Sequence, residues 1–233
     1  MQPFKIGFMA LSKASWATPE IDALRERALK SLQSLPYEVV HAGALTTTAA
    51  EASALCAKMR KQDVRAVVVL FATFPVGAII PVIAKELSVP AIFFSTPEQP
   101  QAGKMWSQNS FCGANMAVHT FRKLGRKHAF VFGPAEQAAA LTARPLNILR
   151  CVSELASAKV GLVGGRVPGF YTSNCDELRL RAKLGPEVEV IDIAEIIDAA
   201  GKLSPEEAAS GAAAVRKSAA SCCAKVEKDV EAG

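Results

Sequence analysis

Two stretches of this sequence gather side chains that could do chemistry. The first, STPEQPQAGKMWSQNSFCGAN, begins at Ser95 and carries Glu98, Gln99, Asn109 and Asn115 around Trp106. Carboxylate and amide groups exchange hydrogen bonds with hydroxyls, and an indole offers a flat face, so the set suits a sugar or a similar polar ring. The stretch is also longer than the roughly 2–6 residues of an ordinary βα connection, and long structured loops are often functional. A purely structural use stays open: Asn109 or Ser110 would cap the following helix and Gly113 would permit close packing. The second stretch, GLVGGRVPGFYTSN, sets Gly164, Gly165 and Arg166 beside the pair Phe170 and Tyr171. Glycine lets backbone N–H groups approach an anion and arginine supplies a fork of donors, although the order of a phosphate loop is absent. The alternative is a tight turn in which Arg166 pairs with a carboxylate and the two aromatic rings cover a sheet edge.

Other chemistries find no support in the residues. The three histidines, His41, His119 and His128, stand in no metal-binding spacing, and no Ser-His-Asp or Cys-His set assembles. No catalytic residue and no metal ligand is therefore assigned. The six cysteines are dispersed without a CxxC pair, which reads as reduced thiols and a cytoplasmic location. Cys112 lies where a helix N-terminus would lower a thiol pKa, but burial in packing is the expectation for it. The net charge of +5 is scattered apart from the group Arg122, Lys123, Arg126 and Lys127, too thin a stripe for nucleic acid.

These residues must be positioned by a scaffold, and its elements alternate. Short apolar strands are expected at residues 5–11, 37–41, 66–70, 91–94 and 129–132, with helices at 19–33, 49–61, 76–87 and 111–124 between them. This is the pattern of βαβ units and a doubly wound parallel α/β layer of the Rossmann or flavodoxin kind. A long Ala- and Leu-rich helix to residue 156 closes a first domain, 1–156. A second, partial α/β domain, 157–233, follows, with strands at 159–163 and 188–192, a helix at 176–184 and a C-terminal helix at 205–230. Ser204, Pro205 and Glu207 form the start of that last helix, and Val215, Ala219, Cys222, Cys223, Val226 and Val230 make one apolar stripe that is expected to dock. Residues 66–84 contain no charge and approach membrane-spanning length, but the β-branched opening and the prolines at 75 and 81 favour a buried strand followed by a helix. The apolar stretch 6–11 is too short for a signal peptide and reads as the first strand. No membrane association is expected. In open parallel sheets ligands sit at the carboxyl ends of the strands, so the loops at 12–16, 72–75, 95–110 and 164–174 are the candidate site.

The segments FATFPVGAIIPVIAKELSVPAIFFSTPEQP, SFCGANMAVHTFRKLGRKHAFVFG and GLVGGRVPGFYTSNCDELRLRAKLGPEVEVID, in this order, resemble the N-terminal half of the L-fucose isomerase-like family of sugar isomerases. The resemblance runs over about residues 5–192. It implies two N-terminal α/β domains and a C-terminal domain that completes the active site. Its members interconvert aldoses and ketoses through an enediol, with a divalent metal, usually manganese, held by Glu, Asp and His late in the chain. No cofactor is expected within these residues, and the chain alone is expected to be inactive. The resemblance further implies that first-domain loops make subunit contacts and close over a neighbouring active site. Ser12, Trp16, Phe74, Glu98 and Asn109 are the positional candidates for that role, with Trp106 and Arg166 completing the substrate-binding set. The GGRVPGFYT loop then faces an interdomain cleft. The implied partners are a sugar, and a homo-oligomer or the missing C-terminal half. Two other readings remain: a freestanding module that binds sugar or another small ligand in the same crevice, and a structural subunit that oligomerises through its last helix.

Overall fold

The structure, a computed structural model, describes residues 4–98 and 108–218. The chain divides into two units, Met1–Glu154 and Leu155–Gly233. In the first, five parallel strands lie in the order β2-β1-β3-β4-β5: β1 (Lys5–Leu11), β2 (Glu38–His41), β3 (Ala66–Phe71), β4 (Ala91–Ser95) and β5 (His128–Phe132). The helices are α1 (Pro19–Leu32), α2 (Ala49–Lys61), α3 (Ile79–Glu86), α4 (Ser110–Lys123) and α5 (Ala138–Ala156). The chain leaves β1 outward to β2 and then returns to β3 on the other side. The switch point therefore falls between β1 and β3.

The side-chain period of two explains how one strand serves two cores. Along β3, Val67, Val69 and Phe71 enter one apolar cluster with Leu55, Met59, Ile80, Ile83 and Phe121. Ala66, Val68 and Leu70 enter the other, with Leu24, Ala28, Leu32 and Leu146. Every β3 residue is buried, as are those of β4, so the uncharged run at 66–84 is a central strand and the start of α3. Among the described residues no helix is long and apolar enough to cross a membrane. Phe93 anchors the first cluster, edge-on to Phe71 at 5.7 Å and to Phe121 at 4.8 Å. Cys56 is sealed in the same cluster, and burial pushes its thiol up to about 12.

The second unit holds β6 (Lys159–Val163) and β7 (Glu187–Ile191), paired in parallel with Val160 opposite Val188 and Leu162 opposite Val190. Alternation sets those four apolar residues on one face. All of β6 is nevertheless exposed, as is Val190. Helices α6 (Glu177–Lys183), α7 (Ile193–Gly201) and α8 (Pro205–Ser218) complete the described part. α7 is absent from the sequence reading. It starts from an Asp192/Glu195 capping box directly after β7, where VIDIAEII reads equally as strand or helix. Of the stripe expected to dock, Val215 is exposed, and Ala219, Cys222, Cys223, Val226 and Val230 lie outside the described residues.

α2 also opens with a capping box: the Glu51 carboxylate accepts from the Thr47 and Thr48 N–H groups, and Thr48 accepts from the Glu51 N–H. These bonds, led by that from Thr47, hold the Glu51 carboxyl below its ordinary value. Its contribution to stability is therefore complete above the unfolded carboxyl value of about 4.3 and lost as pH falls through the lower folded value. Glu51→Gln is expected to flatten the acid limb of a stability-against-pH curve measured by urea unfolding. An acid limb identical to that of the parent would show that the box contributes nothing.

Candidate functional site at the carboxyl ends of the strands

The first unit carries its polar loops where β1, β3 and β4 end. Beyond β1, Ser12 is buried, and its hydroxyl lies 2.9 Å from the hydroxyl of Thr73, which is buried at the end of β3. The Lys13 N–H donates to the same Thr73 oxygen at 3.0 Å, and the Thr73 N–H donates to the Leu11 carbonyl. These bonds lock the two loops that flank the switch point. The short 3-10 turn Ala14–Trp16 follows, with the Lys13 ammonium 4.9 Å from the centre of the half-buried Trp16 ring.

A second tie joins β3 to β4. The Ser110 hydroxyl donates to the Phe71 carbonyl at 2.5 Å and accepts from the Thr96 N–H at 2.9 Å. The Ser110 N–H in turn donates to the Glu98 carboxylate at 3.0 Å, and the Phe74 N–H donates to the Gln108 carbonyl at 2.7 Å. α4 must approach closely for these contacts. A Cβ at Gly113 would stand 2.8 Å from Pro75 Cδ and 3.0 Å from Phe71 Cδ1, so only glycine leaves room. Close packing, the use the sequence suggests for Gly113, is its place here.

The candidates fall into distinct positions. Ser12 and Glu98 are engaged by neighbours, Trp16 and Phe74 are half-buried, and Asn109 is half-buried with a left-handed backbone, φ 48°. Trp106 and Gln99 lie outside the described residues. Asn109 makes no side-chain cap bond, so the acceptor at the α4 N-terminus comes from Glu98, twelve residues upstream. Cys112, expected to be packed, is exposed. Glu98, Asn109, Phe111 and Cys112 line a surface pocket of about 360 Å³. Near it in the fold, Ser95 Oγ, Thr96 Oγ1 and Gln108 Oε1 are buried without a hydrogen-bond partner. An unsatisfied buried hydroxyl costs about 1–3 kcal/mol, and a polar ligand removes that cost. Thr73, Thr96 and Ser110 escape the sequence reading as site residues. The available signal is their position, a hydroxyl immediately past a fully apolar strand or at a helix start.

In the second unit, Gly164 and Gly169 have left-handed backbones, φ 72° and 86°, and turn the loop after β6. Among the described residues Arg166 pairs with no carboxylate; its guanidinium lies 5.6 Å from the Tyr171 ring centre. Phe170 and Tyr171 are exposed and cover no edge. Among the described residues no group of three or more His, Cys, Asp or Glu side chains converges to hold a metal.

A five-strand parallel layer in this order, with its strand-end loops hydrogen-bonded to one another above the switch point, defines an α/β layer of the flavodoxin kind. Residues 7–154 match the family described as fucose/sulfoquinovose isomerase, N-terminal domain, and the chain belongs to that family. The match ends where the first unit ends. The chain is 24% identical over 209 residues to the sulfoquinovose isomerases of Priestia aryabhattai and Priestia megaterium, covering 89% of this chain and 47% of theirs. It is 30% identical over 137 residues to that of Alkalicoccus urumqiensis, covering 58% of this chain and 30% of that protein. The chain thus spans about half the length of the first two relatives and less of the third.

Ser110→Ala is expected to destabilise the chain by about 1–3 kcal/mol in urea unfolding, because two buried backbone groups lose their partner. Glu98→Ala, a change of cap, is expected to cost about 0.5–2 kcal/mol. Loss of less than a few tenths in both variants would show that these ties are not what holds the loops.

Proposed function

We propose that this chain is the N-terminal body of an aldose–ketose isomerase of sugars, and that the loops of its first unit form one wall of the substrate crevice. The observation that carries the reading is that Ser95, Thr96 and Gln108, in the segments that run into the pocket bordered by Glu98 and Asn109, each hold a buried oxygen without a hydrogen-bond partner. Hydroxyl-rich ligands suit such polar segments, and membership of the family supplies the sugar. The family's description gives fucose and sulfoquinovose as candidates, and the relatives' names favour sulfoquinovose.

Isomerisation moves a proton between adjacent carbons through an enediol, which requires a positioned base and stabilisation of the enediolate oxygens. A divalent metal such as manganese supplies the second need by polarising both oxygens. The described residues do not fit that ion, since no three ligating side chains converge. The role left to this chain is binding and orientation: Trp16 and Phe74 offer ring faces, Glu98 and Asn109 polar edges. Arg166, with Trp106, belongs to the same proposed set. The metal, the base and the closing of the crevice then come from the rest of the enzyme or from a neighbouring subunit. The uncovered apolar face of β6 and β7 supports a second unit built to pack on more protein. A cytoplasmic location forms part of the proposal, in keeping with the free thiols of Cys56, Cys112, Cys151 and Cys175.

With manganese supplied, the purified chain alone is expected to give no turnover of fucose, arabinose or sulfoquinovose. Metal-dependent ketose formation that survives controls for host enzymes would overturn this division of labour.

A further inference from the structure

We infer, on the sugar-binding role proposed above for the rim of the first unit, that the Lys13 ammonium reads the charge of the sugar: it takes an anionic group on the ligand and so selects a sulfonated sugar over its neutral counterpart. The loops that follow the five strands are residues 12–18, 42–48, 72–78, 96–109 and 133–137. Among their described residues Lys13 is the only lysine or arginine. The two carboxylates in those described residues are already engaged: Glu98 accepts from the Ser110 N–H and Glu136 pairs with Arg27. The exposed Lys13 side chain, by contrast, forms no ion pair with a carboxylate among the described residues. The uncommitted charge of the described rim loops is therefore positive.

The backbone holds this charge in place. The Lys13 N–H donates to the Thr73 hydroxyl at 3.0 Å, and its carbonyl accepts from the Ser12 hydroxyl at 3.1 Å and from the Trp16 N–H at 2.9 Å. These bonds join the ends of β1 and β3, on either side of the switch point, where an open parallel sheet receives its ligand. The head of the side chain is oriented as well, with the ammonium 4.9 Å from the centre of the Trp16 ring. A lysine fixed at its origin and held at its head loses little freedom when an anion arrives, and that is the condition under which a charge adds to affinity.

The two sugars in the family's description differ at carbon 6, which is a methyl group in fucose and carries a sulfonate in sulfoquinovose. A sulfonate is a permanent anion with three acceptor oxygens, and a lysine ammonium is a compact charge with three donors. A hydrogen bond between two such charged groups is stronger than one between neutral groups. A methyl group returns nothing for the water that it strips from an ammonium, so the same residue that favours the anionic sugar disfavours the neutral one. The Trp16 ring, already beside the ammonium, offers its face to the apolar side of either sugar ring.

The test titrates the full chain with sulfoquinovose and with 6-deoxyglucose, the same sugar without its sulfonate. Binding is followed by NMR at the Trp16 indole N–H, whose signal is assigned with Trp16→Phe. The parent is expected to bind sulfoquinovose about tenfold or more tightly than 6-deoxyglucose, as a hydrogen bond to a charged group allows, and to lose part of that margin as salt is raised. Lys13→Met is expected to bring the two affinities together and Lys13→Arg to keep them apart, both with unchanged thermal unfolding because the side chain is exposed. A Lys13→Met variant that keeps the preference, or a parent that shows none, overturns the role of Lys13 and leaves the sugar crevice standing. Inorganic sulfate that matches sulfoquinovose in affinity overturns it as well, since the sugar then contributes nothing. A parent that binds neither sugar at tens of millimolar removes the crevice proposed above, and the role of Lys13 with it.

Discussion

A parallel sheet must be covered on both faces, because its crossover helices and its apolar strands leave neither face fit for water. That requirement organises this chain. In the first unit it is met: β3 and β4 are buried throughout, with one apolar cluster above and another below. The helices that cover the faces also return the chain to the same end of the sheet after each strand. The polar loops therefore collect at one rim without any further instruction. In the second unit the requirement is unmet among the described residues, since β6 is exposed along its whole length.

The rim is held by hydroxyls rather than by ion pairs. Ser12 with Thr73, and Ser110 with Phe71 and Thr96, bridge backbone groups that the strands leave unpaired as they end. Short side chains suit this task because they lose little rotamer freedom on burial. Among the described residues, ion pairs lie elsewhere: Lys5 with Glu38, Arg27 with Glu136 and Arg60 with Glu86 span neighbouring elements on partly exposed surface. Exposed pairs of that kind contribute little, so the rim's rigidity rests on buried neutral bonds. Rigid surroundings beside unsatisfied oxygens favour a preorganised polar surface over one that must be rebuilt on binding.

Sequence pattern sufficed where a local period or cap announced an element. Ser204 with Glu207 marks the start of α8, and the β-branched run AVVVLF marks β3 to within a residue. Family membership was legible too, because it rests on long stretches whose order and spacing survive at low identity. The losses have physical causes. α7 was hidden because a single residue, Asp192, separates it from β7, and an apolar run carries no period of its own. Glu98 reads as a ligand-binding carboxylate, yet its bond to the Ser110 N–H depends on the fold bringing residues twelve apart together. Arg166 reads as a partner for an anion or a carboxylate, yet its guanidinium lies over an aromatic ring, a choice that no spacing encodes.

The burial of Cys56 bears on how this molecule can be watched. Thiolate is the form that alkylating reagents attack, and a thiol pushed up to about 12 beneath α2 holds almost none of it at neutral pH. Cys112, Cys151 and Cys175 stand in solvent. Mass spectrometry of a briefly alkylated sample would therefore separate two clocks within one polypeptide. Among the described residues, the exposed sulfurs record elapsed reagent time, and that of Cys56 counts the openings of the apolar cluster that encloses it.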